Sequence, residues 1–328
     1  MNLRSAAVCQ IVEGMPVLTL VVGVLTYRRA DQLRAGLSVI LAQVSILNAD
    51  GRGVSARVLV VDNDPAGSAR SAVASLADSR VKYAHEPVPG ISAGRNRALD
   101  EASDADLLAF IDDDETPRPG WLTALVDTWL STRPAAVMGR VFFNVPADAD
   151  PWVVTGGFFT RPRRPTGAEI AVAGAGNLLL DLRQVRALGV RFDPRLGLSG
   201  GEDTLFSRLL VRRGGRIVWC DESVADDNVP AKRATRQWVL QRAWRVGNCT
   251  ALADLYLAGN VAERCVSRVR YTLRGLARIA GGTLRYAVGR LVGSDRHEAR
   301  GLRTARRGQG MLSGARGTRF DEYARSVA

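Results

Sequence analysis

Four hydrophobic runs in the first third of the chain alternate with stretches that have the pattern of helices. The runs are short and rich in β-branched residues and leucine, which is typical of strands buried on both faces. They cover residues 17–26, 57–61, 81–84 and 107–111, and the intervening and following helices are predicted over 31–47, 68–77, 92–102 and 120–129. Strands that alternate with helices predict βαβ units, and therefore an α/β domain with a mainly parallel sheet.

The pattern is less regular after residue 137. Further strands are predicted over 137–145 and 217–220, a loop over 161–166, and helices over 200–213 and 235–256. The stretch 261–292 has helical spacing with apolar residues on one side, and opposite them lie Arg264, Arg274, Arg278 and Arg285. Gly281 and Gly282 predict a break or bend in this helix. Residues from about 293 onward are rich in glycine, arginine and serine, which predicts a flexible tail.

The positive charge is concentrated at the C-terminal end. Residues 260–328 contain 15 arginines and five acidic residues, so they carry +10 of the net charge of +12, and the rest of the chain is nearly neutral. Such a segment indicates an anionic partner, which could be a membrane surface, a nucleic acid or a phosphorylated substrate, or it serves solubility alone. The near-neutral body and the lack of an aromatic and basic sheet motif argue against nucleic acid.

Cysteine usage and hydropathy bear on the compartment. The four cysteines form no CxxC pair and the chain has two histidines, which argues against a zinc site. We expect reduced thiols and a cytoplasmic location. The sequence has no apolar run of 18 residues and no signal-peptide pattern.

Polar side chains follow three of the predicted strands. Thr26 and Tyr27 come after the first strand, Asp62 after the second, and residues 112–114 (Asp-Asp-Asp) after the fourth. Ligands of parallel sheets bind beyond the carboxyl ends of the strands. Adjacent carboxylates raise one another's pKa unless a cation holds them, and Mg²⁺ suits this purpose. A solvated loop or a helix N-cap is the alternative, but the neighbouring Asp62 favours a ligand site.

Three other segments carry candidate chemistry. Residues 200–203 (Gly-Gly-Glu-Asp) precede a helix and could supply a general base or simply cap the helix. Residues 94–97 (Gly-Arg-Asn-Arg) begin another helix. Their backbone N–H groups and arginine side chains could bind a phosphate, or the arginines could simply lie on the protein surface. Arg242 and Trp244 share a helix, in which the tryptophan could pack in the core. The chain has no Walker motif and no GxGxxG motif.

Together these segments resemble the family 2 glycosyltransferases, which have the GT-A fold. The resemblance covers residues 17–247. Its motifs are most similar to those of the bacterial branch of succinoglycan-type exopolysaccharide glucosyltransferases. It rests on seven segments in order: VVGVLTYRR, VLVVDNDPAGS, HEPVPGISAGRNRAL, LLAFIDDDETPRPGWL, GNLLL, GGEDTLFSRLLVRRGGRIVW and QRAWRVGN.

The resemblance implies inverting transfer of a sugar, with a hexosyltransferase favoured, from a nucleotide-diphosphate donor, with a UDP-sugar favoured. The acceptor would be a saccharide or a lipid-linked saccharide. The cofactor would be a divalent metal, Mg²⁺ or Mn²⁺. The alternatives are a protein that binds nucleotide sugars without turnover, an enzyme of natural-product assembly, or a nucleic-acid-binding protein.

The resemblance also implies roles for individual residues. Thr26, Tyr27, Asp62, Arg95, Asp112 and Asp113 would bind the donor, and Asp114 with Asp112 would bind the metal. Asp203 would be the catalytic base, with Glu202 as the alternative base. Asn177, Gly201, Arg242 and Trp244 would border the acceptor or the diphosphate. Many GT-A enzymes have a histidine after the base region, but residues 226–230 read Asp-Asp-Asn-Val-Pro here. Either an acid replaces this histidine, or the metal depends on Asp114 and the diphosphate.

These expectations divide the chain into four parts. They are an N-terminal extension (1–16), a GT-A catalytic domain (17–259), a basic amphipathic helical extension (260–292) and a flexible tail (293–328). The basic helix would allow peripheral attachment to the anionic inner face of the cytoplasmic membrane, or it would pack back on the catalytic domain.

Overall fold

The computed structural model describes residues 17–319, which form one eight-stranded sheet with helices on both faces. The predicted N-terminal extension and the last residues of the tail lie outside the described residues. The strands are β1 (Leu18–Thr26), β2 (Val54–Asp62), β3 (Val81–His85), β4 (Leu107–Asp112), β5 (Glu115–Pro117), β6 (Ala136–Asn144), β7 (Asn177–Asp181) and β8 (Ile217–Asn228).

Ten α-helices accompany these strands within residues 17–319. They are α1 (Ala30–Ala49), α2 (Arg70–Ala74), α3 (Ile91–Glu101), α4 (Trp121–Thr132), α5 (Pro151–Gly156), α6 (Leu182–Ala187), α7 (Glu202–Arg212), α8 (Arg236–Leu257), α9 (Val261–Leu291) and α10 (Asp295–Ala315). All six of the predicted strands are present, but β5 and β7 are not among the predictions. β5 is a three-residue strand, and β7 has the sequence NLLLD.

The sheet is parallel in its first half and mixed in its second. The strand order is β3-β2-β1-β4-β7-β6-β8-β5, and β1, β2, β3 and β4 run parallel. In this register Thr26 of β1 lies opposite Asp62 of β2, and Leu25 lies opposite Asp112 of β4. The three strands therefore end at the same level, because their carboxyl ends share one edge of the sheet. β7 is antiparallel to both β4 and β6.

Two apolar layers cover the faces of the sheet. Alternate residues of the strands point to opposite faces, so each strand contributes to both layers. One layer packs α1 and α4 on the sheet through residues such as Leu37 and Trp121. The other layer contains Phe192 and Phe206, whose rings stack with centroids 4.2 Å apart. These two layers fix the strand ends and the start of α7 relative to one another.

Helices α8, α9 and α10 pack together at the C-terminal end. The ordered helix α10 corrects the prediction of a flexible tail over residues 295–315, and α9 is continuous through the predicted break at Gly281 and Gly282. Small residues explain both differences. A Cβ atom on Gly282 would lie 2.5 Å from the backbone nitrogen of Ala305, so these glycines allow α10 to approach closely.

None of the helices within residues 17–319 combines the length and the hydropathy that a bilayer-spanning segment requires.

Candidate active site

A cavity of about 710 Å³ lies at the carboxyl ends of β1 and β4 and extends to the starts of α7 and α8. It brings together most of the residues that the sequence analysis selects. Those that line it are Thr26, Tyr27, Arg95, Asp112, Asp113, Asp114, Gly201, Glu202, Asp203 and Arg242. These residues are separated by as much as 216 positions of sequence. The register of the sheet brings the strand-end residues together, and helices α3, α7 and α8 supply the others.

Asp113 is held in place from two sides. The Thr26 hydroxyl donates a hydrogen bond of 2.8 Å to Asp113 Oδ2, and Arg29 Nη1 donates one of 2.7 Å to Asp113 Oδ1. The same Arg29 nitrogen lies 3.0 Å from Asp114 Oδ2. Burial raises the pKa of Asp113 to about 6, and the charge of Arg29 opposes this shift. Arg29 therefore fixes the orientation of two of the three adjacent aspartates.

Asp112 and Glu115 face each other across a glycine. A Cβ atom on Gly176 would lie 2.7 Å from Glu115 Oε1 and 2.9 Å from Asp112 Oδ2, so only a residue without a side chain fits between the two carboxylates. Burial raises the pKa of Asp112, while Arg95 opposes that shift. Burial and the charge of Asp112 raise the pKa of Glu115 well above its usual range.

Glu115 also has an acidic partner across the sheet. It lies directly opposite Asp227 in the antiparallel pairing of β5 with β8. Like charges in this position destabilise a sheet. Glu115 is 94% buried, and both Glu115 Oε2 and Asp227 Oδ1 are buried without a hydrogen-bond partner. Burial and the charge of Asp114 raise the pKa of Asp227. These orphaned oxygens indicate that a cation or a hydrogen-bond donor belongs in this cluster.

The donor set of this cluster consists of carboxylate oxygens, which are the ligands that hard divalent cations prefer. Asp112, Asp114, Glu115 and Asp227 all line the cavity. Within residues 17–319, no three or more acidic, histidine or cysteine side chains converge closely enough to enclose a metal ion by themselves. A cation here would therefore need ligands from a bound molecule as well.

Glu202 forms a buried ion pair with Arg95. Both side chains are almost completely buried, and Arg95 Nη1 donates a hydrogen bond to Glu202 Oε1. Arg95 Nη2 also lies 3.8 Å from Asp112 Oδ1. Burial raises the pKa of Glu202 to about 7, although the charge of Arg95 opposes the shift. Arg95 thus links the strand-end aspartates to the start of α7.

Asp203 has a more open position than Glu202. Its Oδ1 accepts a hydrogen bond of 2.6 Å from the backbone nitrogen of Thr204, and its Oδ2 lies 3.7 Å from where a Cβ atom on Gly174 would be. Gly201 comes before the helix with a φ of 90°, and a Cβ atom there would lie 2.6 Å from Cys249 Cβ on α8. The glycine therefore lets α7 start against α8, with the Asp203 carboxylate at the cavity.

Arginines line the side of the cavity that faces α8. Arg161, Arg233, Arg242 and Arg245 are all lining residues, and we call them the arginine cluster. Arg233 Nη1 lies 3.6 Å from Asp114 Oδ2. Burial, together with the charges of Arg245 and Arg161, lowers the pKa of Arg242 to about 10. A cluster of partly buried cations suits an anionic group such as a diphosphate.

Three predicted site residues do not line the cavity. Asp62 is fully buried, and its carboxylate accepts hydrogen bonds from the backbone nitrogens of Asp64 and Ala69 and from the Tyr83 hydroxyl, so it organises the loop after β2. The neighbouring Asn63 lines the cavity instead.

Asn177 and Trp244 have structural positions. The Asn177 side chain accepts a hydrogen bond of 2.9 Å from Trp121 Nε1 and donates to the backbone oxygens of Arg140 and Ser223, so it joins β7 to β6 and β8. The backbone of Trp244 packs against α10. A Cβ atom on Gly310 of α10 would lie 1.8 Å from the carbonyl oxygen of Trp244. Neither residue is among those that line the cavity, so their expected roles at the acceptor or the diphosphate stay predictions.

The sequence analysis does not select several residues that line the cavity. They are Arg29, Glu115, Arg161, Arg233 and Arg245. Arg29 and Glu115 lie within two of the segments quoted in the sequence analysis. The predicted site residues next to them in sequence could therefore have identified them. Arg161 belongs to the predicted loop 161–166, and nothing in the sequence shows that this loop reaches the site. The structure places Asp227 beside Asp114, in the segment that has no histidine.

Comparison with known proteins gives the family. Residues 21–181 match the family model described as glycosyl transferase family 2. The chain is also 37% identical over 229 residues to the succinoglycan biosynthesis protein ExoM of Rhizobium meliloti (strain 1021), an alignment that covers 69% of this chain and 72% of ExoM. The chain belongs to glycosyl transferase family 2. It is therefore a glycosyltransferase, and the resemblance seen in the sequence is confirmed.

Solved structures agree with this assignment at the level of the fold. The mannosyltransferase PcManGT of Pyrobaculum calidifontis, in complex with GDP-Man and Mn²⁺, is 18% identical with a TM-score of 0.58, covering 90% of this chain and 86% of that one. Residues 1–349 of S. aureus TarS are 13% identical with a TM-score of 0.51, covering 92% of each chain. The expected GT-A fold, with a C-terminal helical extension, is confirmed.

Proposed function

We propose that this glycosyltransferase moves a sugar, with inversion, from a nucleotide-diphosphate donor to the hydroxyl group of a saccharide or lipid-linked saccharide. The observation that carries the proposal is that one cavity contains the Asp203 carboxylate, the strand-end aspartates and the arginine cluster. A donor needs cationic or metal-assisted binding of its diphosphate, and an acceptor needs a base. The cavity contains residues for both requirements.

The donor would occupy the part of the cavity formed by the strand ends. Thr26 and Tyr27 would line the pocket for the base, and Asp113, which is fixed by Arg29, would lie near the ribose. Arg242 and the rest of the arginine cluster would contact the diphosphate. We propose UDP as the nucleotide of the donor, so UDP-sugars are the first donors to test.

A divalent cation, Mg²⁺ or Mn²⁺, fits the carboxylate cluster. Asp114 and Asp112 would hold it, and the orphaned oxygens of Glu115 and Asp227 lie in the same cluster. The Mn²⁺ in the structure of PcManGT is consistent with this proposal. When bound, such a cation stabilises negative charge on a departing diphosphate.

Asp203 is the proposed catalytic base. It accepts the proton of the acceptor hydroxyl while the oxygen of that hydroxyl forms a bond to the anomeric carbon of the donor sugar. The bond between that carbon and the diphosphate breaks, and the electron pair leaves with the nucleoside diphosphate. Glu202 is less suited to this role because Arg95 occupies its carboxylate. Arginine side chains fixed before the reaction stabilise the charge on the leaving group.

The similarity to ExoM supports a role in the biosynthesis of a bacterial exopolysaccharide. A cytoplasmic location at the inner face of the membrane belongs to the same proposal, because a lipid-linked acceptor would be found there.

The decisive experiment combines donor binding with turnover. We expect titration calorimetry to detect binding of a nucleotide sugar in the presence of Mn²⁺ or Mg²⁺, and a loss of affinity with EDTA. Asp203→Asn should bind the donor as tightly as the wild type, since the base contacts the acceptor. Its turnover should fall by about 10²- to 10⁴-fold, which is the usual contribution of a general base.

The matched control is Asp100→Asn, which changes an exposed carboxylate that pairs with Arg191 on the surface. This variant should keep both donor affinity and turnover. Normal turnover in Asp203→Asn would refute the assignment of the base. If neither UDP-sugars nor GDP-sugars bind with either metal, the proposed donor class is wrong.

A further inference from the structure

Helix α9 carries an apolar surface that the rest of the described chain does not cover. Six large side chains along one side of the helix are between 51% and 86% exposed, and we call them the apolar stripe: Val266, Val269, Leu273, Leu276, Leu284 and Leu291. Isolated exposed apolar residues are ordinary, but a continuous patch of this kind marks an interaction surface. The stripe extends along almost the whole length of α9, a helix of 31 residues.

The opposite side of α9 is already occupied. Its buried residues are Ser267, Tyr271, Gly275, Gly282 and Gly289, and four of these five are small. A Cβ atom on Gly289 would lie 2.5 Å from the backbone nitrogen of Glu298. Because α10 approaches this side so closely, α9 cannot rotate to bury the apolar stripe without losing that packing. The stripe therefore faces outward in the folded protein.

Arginines border the apolar stripe on both sides. The helix carries seven arginines and one acidic residue, Glu263. At about 100° per residue, Arg268 and Arg290 lie along one border of the stripe and Arg270 and Arg274 along the other. Arg270 also forms an ion pair with Asp254 of α8. The long side chain of an arginine can place its aliphatic part beside apolar groups while its charge remains at a polar layer.

We propose that α9 binds the surface of an anionic lipid bilayer, with the apolar stripe inserted among the acyl chains and the bordering arginines at the lipid headgroups. An apolar face between rows of basic residues is the pattern of a helix that lies in the interface plane. A second copy of this chain is a poorer partner, because apposed stripes would bring the bordering arginines of the two copies together. Anionic headgroups attract the same charges. This inference is independent of the proposed sugar transfer.

Vesicle flotation with the full-length protein tests the proposal. We expect binding to phosphatidylcholine vesicles that contain phosphatidylglycerol, and at least about tenfold weaker binding to pure phosphatidylcholine. Arg268→Gln with Arg274→Gln should weaken binding to the anionic vesicles about 30-fold, since each arginine contributes roughly fivefold. Leu276→Gln with Leu284→Gln should weaken it by a similar factor or more. Salt should weaken binding, because the Debye length falls from about 10 Å at 0.1 M to about 3 Å at 1 M.

Matched controls change similar residues on other surfaces. Ile46→Gln with Val211→Gln removes two exposed apolar side chains, and Arg34→Gln with Arg183→Gln removes two exposed charges. Both controls should bind anionic vesicles as the wild type does. Equal binding of the Leu276 and Leu284 variant and the wild type would overturn the proposal, as would equal binding to both kinds of vesicle. A dimer in sedimentation velocity that this variant abolishes, with no vesicle binding by the wild type, would identify the stripe as a contact between copies.

Discussion

The close contact between α10 and α8 at Gly310 gives a quantitative prediction. In Gly310→Ala the new Cβ atom would lie 1.8 Å from the Trp244 carbonyl oxygen and 2.7 Å from its carbonyl carbon. Both are backbone atoms inside a helix, so the helices must move apart by roughly 1.5 Å to restore van der Waals contact. Overpacking of this kind costs about 1–3 kcal/mol or somewhat more, while the better helix propensity of alanine returns at most about 1 kcal/mol.

We therefore expect Gly310→Ala to lower the free energy of unfolding by about 1–3 kcal/mol. The measurement is guanidinium chloride unfolding of the full chain, followed by circular dichroism. Gly281→Ala is the matched control, since a Cβ atom there has no neighbour within 4 Å and α9 is continuous at this position. The control should raise stability by about 0.5–1 kcal/mol. Stabilisation of the same size by both substitutions would refute the docking of α10 on α8.

Three further predictions each concern the effect of one side chain on the free energy of unfolding. Because burial raises the pKa of Glu202 to about 7 from a usual value near 4.5, the folded chain binds more protons than the unfolded chain between these pH values. The free energy of unfolding in urea should therefore fall as the pH rises from about 4.5 to about 7, and Glu202→Gln should remove this part of the pH dependence. Trp121→Phe removes the hydrogen bond to the buried Asn177 and should lower the unfolding free energy by at least about 1 kcal/mol, whereas an unchanged denaturation midpoint would contradict the contact. Asn260→Ala removes the side chain that accepts a 2.8 Å hydrogen bond from the backbone of Glu263 at the start of α9, and thermal melts should show a loss of about 1 kcal/mol, with no shift if the cap is absent.

The parallel half of the fold and its strand ends follow from the sequence. Short β-branched runs that alternate with helices predict parallel strands, and polar residues directly after such runs must meet at one edge of the sheet. Thr26, Asp112 and Asp114 were found in this way. Local pattern is sufficient there because a short, continuous apolar run marks a strand buried on both faces, and the first polar residues after it mark the edge of the sheet.

Long-range pairings could not be predicted in the same way. Glu115 meets Asp227 because a three-residue strand pairs with the end of β8, and no local pattern shows this. Asp62 is a predicted donor-binding residue, but its carboxylate accepts hydrogen bonds from the loop after β2, since a buried carboxylate needs hydrogen-bond donors. The glycines of α10 have the composition of a flexible segment, but in the structure they allow helices to pack closely.

The contact between Gly201 and Cys249 has a consequence for thiol chemistry. Cys249 is buried where α7 starts against α8, its Sγ lies 3.1 Å from the Gly200 carbonyl oxygen, and burial raises its pKa to about 12. Cys249 borders the cavity but is 6% exposed, so an alkylating reagent should reach its sulfur more readily when the two helices separate, whereas Cys265 on α9 is exposed. The rate of labelling at Cys249, read against that at Cys265, would thus report how often the carboxylate and arginine sides of the cavity move apart.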